Sequence, residues 1–126
     1  DDPHVLQPGQ VLERLDAHFR ELEEDVKAQD GLGGCLLGNL SQLVALRSEP
    51  LRRAVETAFA EWQEDLVDVL EAAQRAGELT PTADTEDIAA LVIEAYEGAL
   101  LRAKAQASLA PLDRFRRTSL KRLLGA

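Results

Sequence analysis

The side chains best suited to chemistry in this sequence are two histidines, one cysteine and two runs of carboxylates. His4 and His18 stand far apart, and neither has a second His or Cys at metal-ligand spacing, so no metal site is expected. The Glu-x-x-His pair of helical di-iron sites is also missing, since Leu15 stands three residues before His18. Glu21, Glu23, Glu24 and Asp25, and further on Glu61, Glu64, Asp65 and Asp68, place carboxylates close enough for acid–base work, but runs of this kind are ordinarily solvated helix faces. Gly31-Leu32-Gly33-Gly34 lacks a preceding strand and a following Gly-Lys-Ser/Thr, which excludes a phosphate loop. No set of nucleophile, base and orienting group exists, and the chain is not expected to be an enzyme or to carry a cofactor.

Other residues suit binding better than catalysis. Phe19, Phe59, Trp62 and Tyr96 fall on or beside apolar stripes and are either plain core or the walls of a pocket. Asn39 sits within a very apolar stretch, where its amide needs a partner: a ligand, a water or a neighbouring carbonyl. Cys35 follows two glycines at an expected helix start, where the helix dipole favours thiolate; the alternative is an inert small apolar residue.

The elements that position these residues are helical, for apolar residues recur at three and four throughout. The spacing predicts five helices. The first opens at Pro8 and carries Val11, Leu12, Leu15, Phe19, Leu22 and Val26 on one stripe, ending at Asp30-Gly31. The second holds Cys35, Leu36, Leu37, Leu40, Leu43, Val44 and Leu46 with almost no charge, which marks a central helix. The third starts with Ser48 as cap and Pro50 in its first turn, runs through Leu51, Val55, Ala58, Phe59, Trp62, Leu66, Val69, Leu70 and Ala73, and stops at Gly77. Asp84 caps the fourth, whose apolar positions sweep roughly 220° at 100° per residue, with Leu101 lying outside even that arc. The fifth begins at Ala110-Pro111 and carries Leu112, Phe115, Ser119, Leu120, Leu123 and Leu124. So wide an apolar surface exceeds what one core uses, and helices four and five are expected to pack on a symmetry mate as well.

Composition narrows the function further. The 126 residues suit one domain, and 45% hydrophobic with 29% charged residues excludes disorder. A net charge of -9 repels phosphate backbones, so the chain alone is not expected to grip nucleic acid. Residues 111–126 carry five basic residues against one acidic, a local basic face read as solvated. A single cysteine cannot form an internal disulfide, and no apolar run approaches a membrane span; a reducing, cytoplasmic setting without membrane contact is expected. The sequence contains no methionine and reads as part of a longer chain, with coding sequence before Asp1.

Five short motifs in register resemble a known family. Gly34-Cys35-Leu36-Leu37-Gly38-Asn39-Leu40-Ser41-Gln42, Ser48-Glu49-Pro50-Leu51-Arg52, Ala76-Gly77-Glu78-Leu79, Glu97-Gly98-Ala99-Leu100-Leu101-Arg102-Ala103-Lys104 and Pro111-Leu112-Asp113-Arg114-Phe115 are similar to the C-terminal regulatory domain of TetR-family transcriptional repressors. The resemblance covers about residues 34–124, and the first helix matches only in pattern. It implies that residues 1–126 are an all-α effector-binding and dimerisation domain of a bacterial repressor. It further implies a homodimer whose last two helices form a four-helix interface, with Ile93, Glu97, Leu100, Leu101, Lys104, Leu112, Phe115, Ser119 and Leu123 as interface residues. A cavity for a small hydrophobic or reactive effector would draw on Phe19, Cys35, Asn39, Phe59, Trp62 and Tyr96. Operator DNA would be read by a helix-turn-helix domain lying before Asp1, and effector binding would change the spacing of the two readers. In some members a cysteine at the Gly-Cys-Leu position, with a lysine of the Ala-Lys element, senses electrophiles or oxidants; Cys35 and Lys104 occupy those places. The competing reading is a stand-alone helical dimer whose exposed apolar face binds a foreign helix.

Overall fold

The computed structural model describes residues 10–28 and 48–125, which are helices joined by short links. Helix α1 spans Gln10–Ala28, α2 Glu49–Arg75 and α3 Thr85–Gln106. The terminal helix follows in three parts: α4 (Ala110–Arg114), a π-helical turn (Phe115–Ser119) and α5 (Leu120–Leu123). The expected second helix, with Cys35 and Asn39, lies outside the described residues.

Local signals set the boundaries. Ser48 is extended and its hydroxyl accepts from the Leu51 N–H, while Pro50 occupies the first turn of α2, where its missing donor is no loss. Asp84 caps α3 by accepting from the Asp87 N–H at 3.1 Å, and Glu86 and Asp87 add negative charge at the positive end of the helix dipole. Helix α2 closes with Gly77 at φ 78° and the Glu78 N–H donating back to the Ala73 carbonyl at 2.8 Å. Helix α3 closes in the same way, Ser108 N–H donating to the Ala103 carbonyl at 3.1 Å, but with Ala107 in the left-handed position at φ 51°. In the link between α2 and α3 the Gln74 amide donates to the carbonyls of Thr80 and Ala83, both at 3.1 Å, which holds the turn and sets the two helices side by side.

The core gathers one face from every helix. Val11, Leu15, Phe19 and Val26 come from α1; Leu66, Val67, Leu70 and Ala73 from α2; Ala89, Val92, Ile93, Tyr96, Leu100 and Ala103 from α3; and Leu112, Phe115, Leu120 and Leu124 from the end of the chain. Among the described residues, the stripes expected from spacing on α1, α2 and the terminal helix are buried or half-buried, except for Leu51, which is exposed in the first turn of α2; on α3, Leu91 of the expected apolar arc is exposed as well. The fifth helix differs from the regular α-helix of the sequence reading, because its middle turn is π-helical. That turn sits where Phe115 enters the core and Arg116 reaches α1, and wide turns of this kind mark places where tertiary contacts override regular backbone bonding.

Candidate cleft and dimer face

Between α1 and α2 lies a cleft of about 450 Å³, within the size range of small-molecule sites. Val11 and Leu15 form one wall; Trp62, Leu66, Val69 and Ala72 form the other. These residues stand at three- and four-residue spacing on each helix, so both walls are continuous apolar strips. The rim is charged with opposite signs: Arg14, beside His18, on the α1 side, and Asp65 and Asp68 on the α2 side. All four rim side chains belong to exposed residues.

Beneath the cleft, four rings lock the helices together. Phe19 is the hub, with ring centroids 5.0 Å from Phe115, 5.2 Å from Tyr96 and 6.3 Å from Trp62. Tyr96 stands edge-on to Trp62 at 6.0 Å and to Phe115 at 5.5 Å. Such tilted and edge-to-face pairs are the arrangement that ring quadrupoles favour. Each ring comes from a different helical stretch, so this cluster ties α1, α2, α3 and the terminal helix into one body.

The pocket candidates therefore divide. Trp62 is half-buried and lines the cleft. Phe19 and Tyr96 are core residues under it, and Phe59 is partly buried against the core without lining it. Cys35 and Asn39 lie outside the described residues. The interface candidates divide too. Ile93, Leu100, Leu112 and Phe115 are closed off within the chain, Phe115 at 2% exposure, because the buried face of α3 and the terminal helix pack on each other. Leu101, at 52%, stays exposed, as does Leu91 at 47%; Glu97, Lys104, Ser119 and Leu123 are half-buried. Gly98 lies mid-helix on the exposed side of α3, and open space surrounds the position of a Cβ.

With the helices and cleft in place, comparison with known proteins decides the family. The family described as the tetracyclin repressor-like C-terminal domain matches residues 11–119. The chain belongs to that family. Among curated relatives, this TetR-type domain is 34% identical to the transcriptional regulator AcuR of Cereibacter sphaeroides over 85% of the chain and 49% of that protein. It is 27% identical to the HTH-type transcriptional repressor DhaR of a Mycobacterium species over 82% of the chain and 50% of that protein. The chain thus spans about half the length of these relatives. Its fold is that of the regulatory protein TetR from Rhodobacter sphaeroides, with a TM-score of 0.81 and 33% identity over 86% of the chain and 57% of that one.

Among the described residues of the TetR-type domain, no group of His, Cys, Asp and Glu is gathered as a metal site, and no helix is long and apolar enough to cross a membrane. Sequence reasoning missed two polar features. The Glu78 carboxylate accepts from the N–H groups of Leu12 and Val11 at 3.1 and 3.3 Å and so caps α1 from the turn after α2. Arg116 faces Glu23 at 3.4 Å, Asp16 at 3.7 Å and Asp113 at 3.7 Å. The only sequence signals were a glutamate just past a helix end and one arginine within a basic run.

Proposed function

We propose that this chain is the effector-binding and dimerisation domain of a TetR-type transcriptional repressor, and that the α1–α2 cleft takes a small, largely apolar effector. The observation that carries the reading is the cleft itself: two apolar strips with Trp62 in one wall, in a chain of this family. The relatives, a transcriptional regulator and a transcriptional repressor, support a regulatory and not an enzymatic role. A net charge of -9 supports operator contact through another part of the full-length protein, and the same proposal places that protein in the cytoplasm.

The same proposal includes a homodimer through α3 and the terminal helix. Leu91 and Leu101 leave apolar surface outside the core. Glycine inside a helix costs roughly 1 kcal/mol against alanine, and nothing among the described residues calls for it at Gly98. A second helix packed closely there supplies the reason. The thiol–amine sensing pair of Cys35 and Lys104 stays with the resemblance: Lys104 is in the last turn of α3, and Cys35 lies outside the described residues.

Two measurements test the reading. Sedimentation velocity at tens of micromolar is expected to show a dimer, weakened by Leu101→Glu; a monomer overturns the interface. A thermal-shift panel of small apolar molecules is expected to raise the midpoint for at least one class, since a ligand of the folded state stabilises by mass action. A flat panel, with no member shifting the midpoint, removes the cleft as an effector site.

A further inference from the structure

Helix α1 is held differently on its two sides. Val11, Arg14, Leu15 and His18 face the cleft, whereas Asp16 and Glu23 face Arg116 on the π-helical turn. At 100° per residue the two faces lie roughly 140° apart, with Phe19 between them in the core. The Arg116 guanidinium spans two turns of α1, its Nη1 3.7 Å from Asp16 and its Nε 3.4 Å from Glu23, which is only 8% exposed. Asp16 is shared with Arg20 at 2.9 Å, and Asp113 pairs with both Arg116 and Arg117. Three cations and three carboxylates thus form one balanced network. At its N-terminus α1 is pinned by Glu78, whose carboxylate accepts from the first-turn N–H groups of Val11 and Leu12.

We propose that Glu78 and Arg116 act as pivot and latch for α1, setting the width of the α1–α2 cleft and passing its occupancy to the terminal helix. A molecule entering between α1 and α2 pushes α1 away from α2, and the part of α1 farthest from the Glu78 pivot moves most. That part carries Glu23, so the load falls on the Arg116 pairs. Phe115, next in sequence, is packed on Phe19, so displacement of α1 is also felt by the core end of the terminal helix. Arg116 is a positioning residue: it touches no ligand and acts through α1. The inference rests on the cleft being the effector site, but the latch itself is testable without any effector.

Trp62 is the single tryptophan and lines the cleft, so its quenching by neutral acrylamide reports how open the cleft is. In the wild-type protein the quenching constant is expected to rise about twofold between low salt and 1 M salt, as ions screen the pairs that Arg116 makes with the more exposed Asp16 and Asp113. Arg116→Gln is expected to show the high quenching already at low salt and to lose the salt response, while Arg116→Lys keeps it. Circular dichroism on each sample confirms that helix content is retained. Glu23→Gln provides the second variant should Arg116→Gln unfold, and it is expected to blunt the salt response in the same way. General loosening of the fold raises quenching without abolishing its salt dependence, so that pattern overturns the latch, as does quenching in Arg116→Gln equal to wild type at both salt concentrations. Failure of the thermal-shift panel with this salt pattern intact removes the effector site and leaves the latch.

Discussion

Phe19→Ala should be the most damaging single truncation on α1. The side chain is 2% exposed and touches rings from four positions, His18, Trp62, Tyr96 and Phe115, at centroid distances of 5.0 to 6.3 Å. Removing a fully buried phenylalanine costs about 3 to 5 kcal/mol from lost transfer energy and the cavity left behind. The ring pairs add to this, at about 0.5 to 1.5 kcal/mol each, though not additively. We expect about 4 kcal/mol, a large share of the roughly 5 to 15 kcal/mol that holds a domain folded. At about 4 °C per kcal/mol for a chain of this size, the midpoint should fall by about 15 °C. Phe19→Leu keeps most of the volume and loses only the ring geometry, so about 1.5 kcal/mol is expected. Urea unfolding monitored by circular dichroism measures both, read as a shift of the transition midpoint at constant slope. A cost below about 1 kcal/mol for Phe19→Ala would refute the reasoning, because it would put the ring in an open pocket and not in packed core.

Three further outcomes are expected. Ala107→Gly should stabilise by about 0.5 to 1 kcal/mol in thermal unfolding, since Ala107 holds the left-handed position that Gly77 holds at the equivalent end of α2. The Glu49 carboxyl, hydrogen-bonded by Arg52 and then Arg53, is held below its ordinary value of 4.5, so its stabilising contribution is present above pH 4.5 and is lost as pH falls through the lowered value; carboxyl NMR should show that lowered titration, and Arg52→Gln should move it back up. Gly98→Leu should leave the helix content unchanged and shift sedimentation towards monomer, whereas an unaltered dimer would separate Gly98 from the interface.

Much of the helical framework is legible in the sequence because capping and periodicity are local. Ser48, Gly77 and Asp84 mark their boundaries by side-chain and backbone chemistry confined to a few residues. The stripe on α1 follows from spacing alone, and so does the excess of apolar surface on α3. Spacing does not apportion that surface: Ile93 and Leu100 went to the core and Leu91 and Leu101 did not, which depends on how α3 is rotated against its neighbours. A cavity with Trp62 in its wall is expected from the resemblance, but the rest of its lining is not legible for the same reason, since Leu15, Trp62 and Val69 become facing walls only once α1 and α2 are paired. The polar ties are non-local, Glu23 and Arg116 being 93 residues apart and Glu78 and Leu12 66 apart, so charge pairing cannot be read by scanning along the chain. Nothing in Phe115-Arg116-Arg117-Thr118-Ser119 signals a π-helical turn; it arises where the core takes Phe115 and α1 takes Arg116.

The most direct test of the cleft as the effector site is a titration of Trp62 fluorescence with the best stabiliser from the apolar panel, in wild type and in Ala72→Phe. Ala72 lines the same wall, half-buried, and a phenyl group there fills part of the cleft while leaving the single tryptophan in place. A saturable change in Trp62 emission is expected in the wild type, weakened at least tenfold in a folded Ala72→Phe protein. Equal affinity in the two proteins, or stabilisation with no change at Trp62, would place the ligand elsewhere and contradict it.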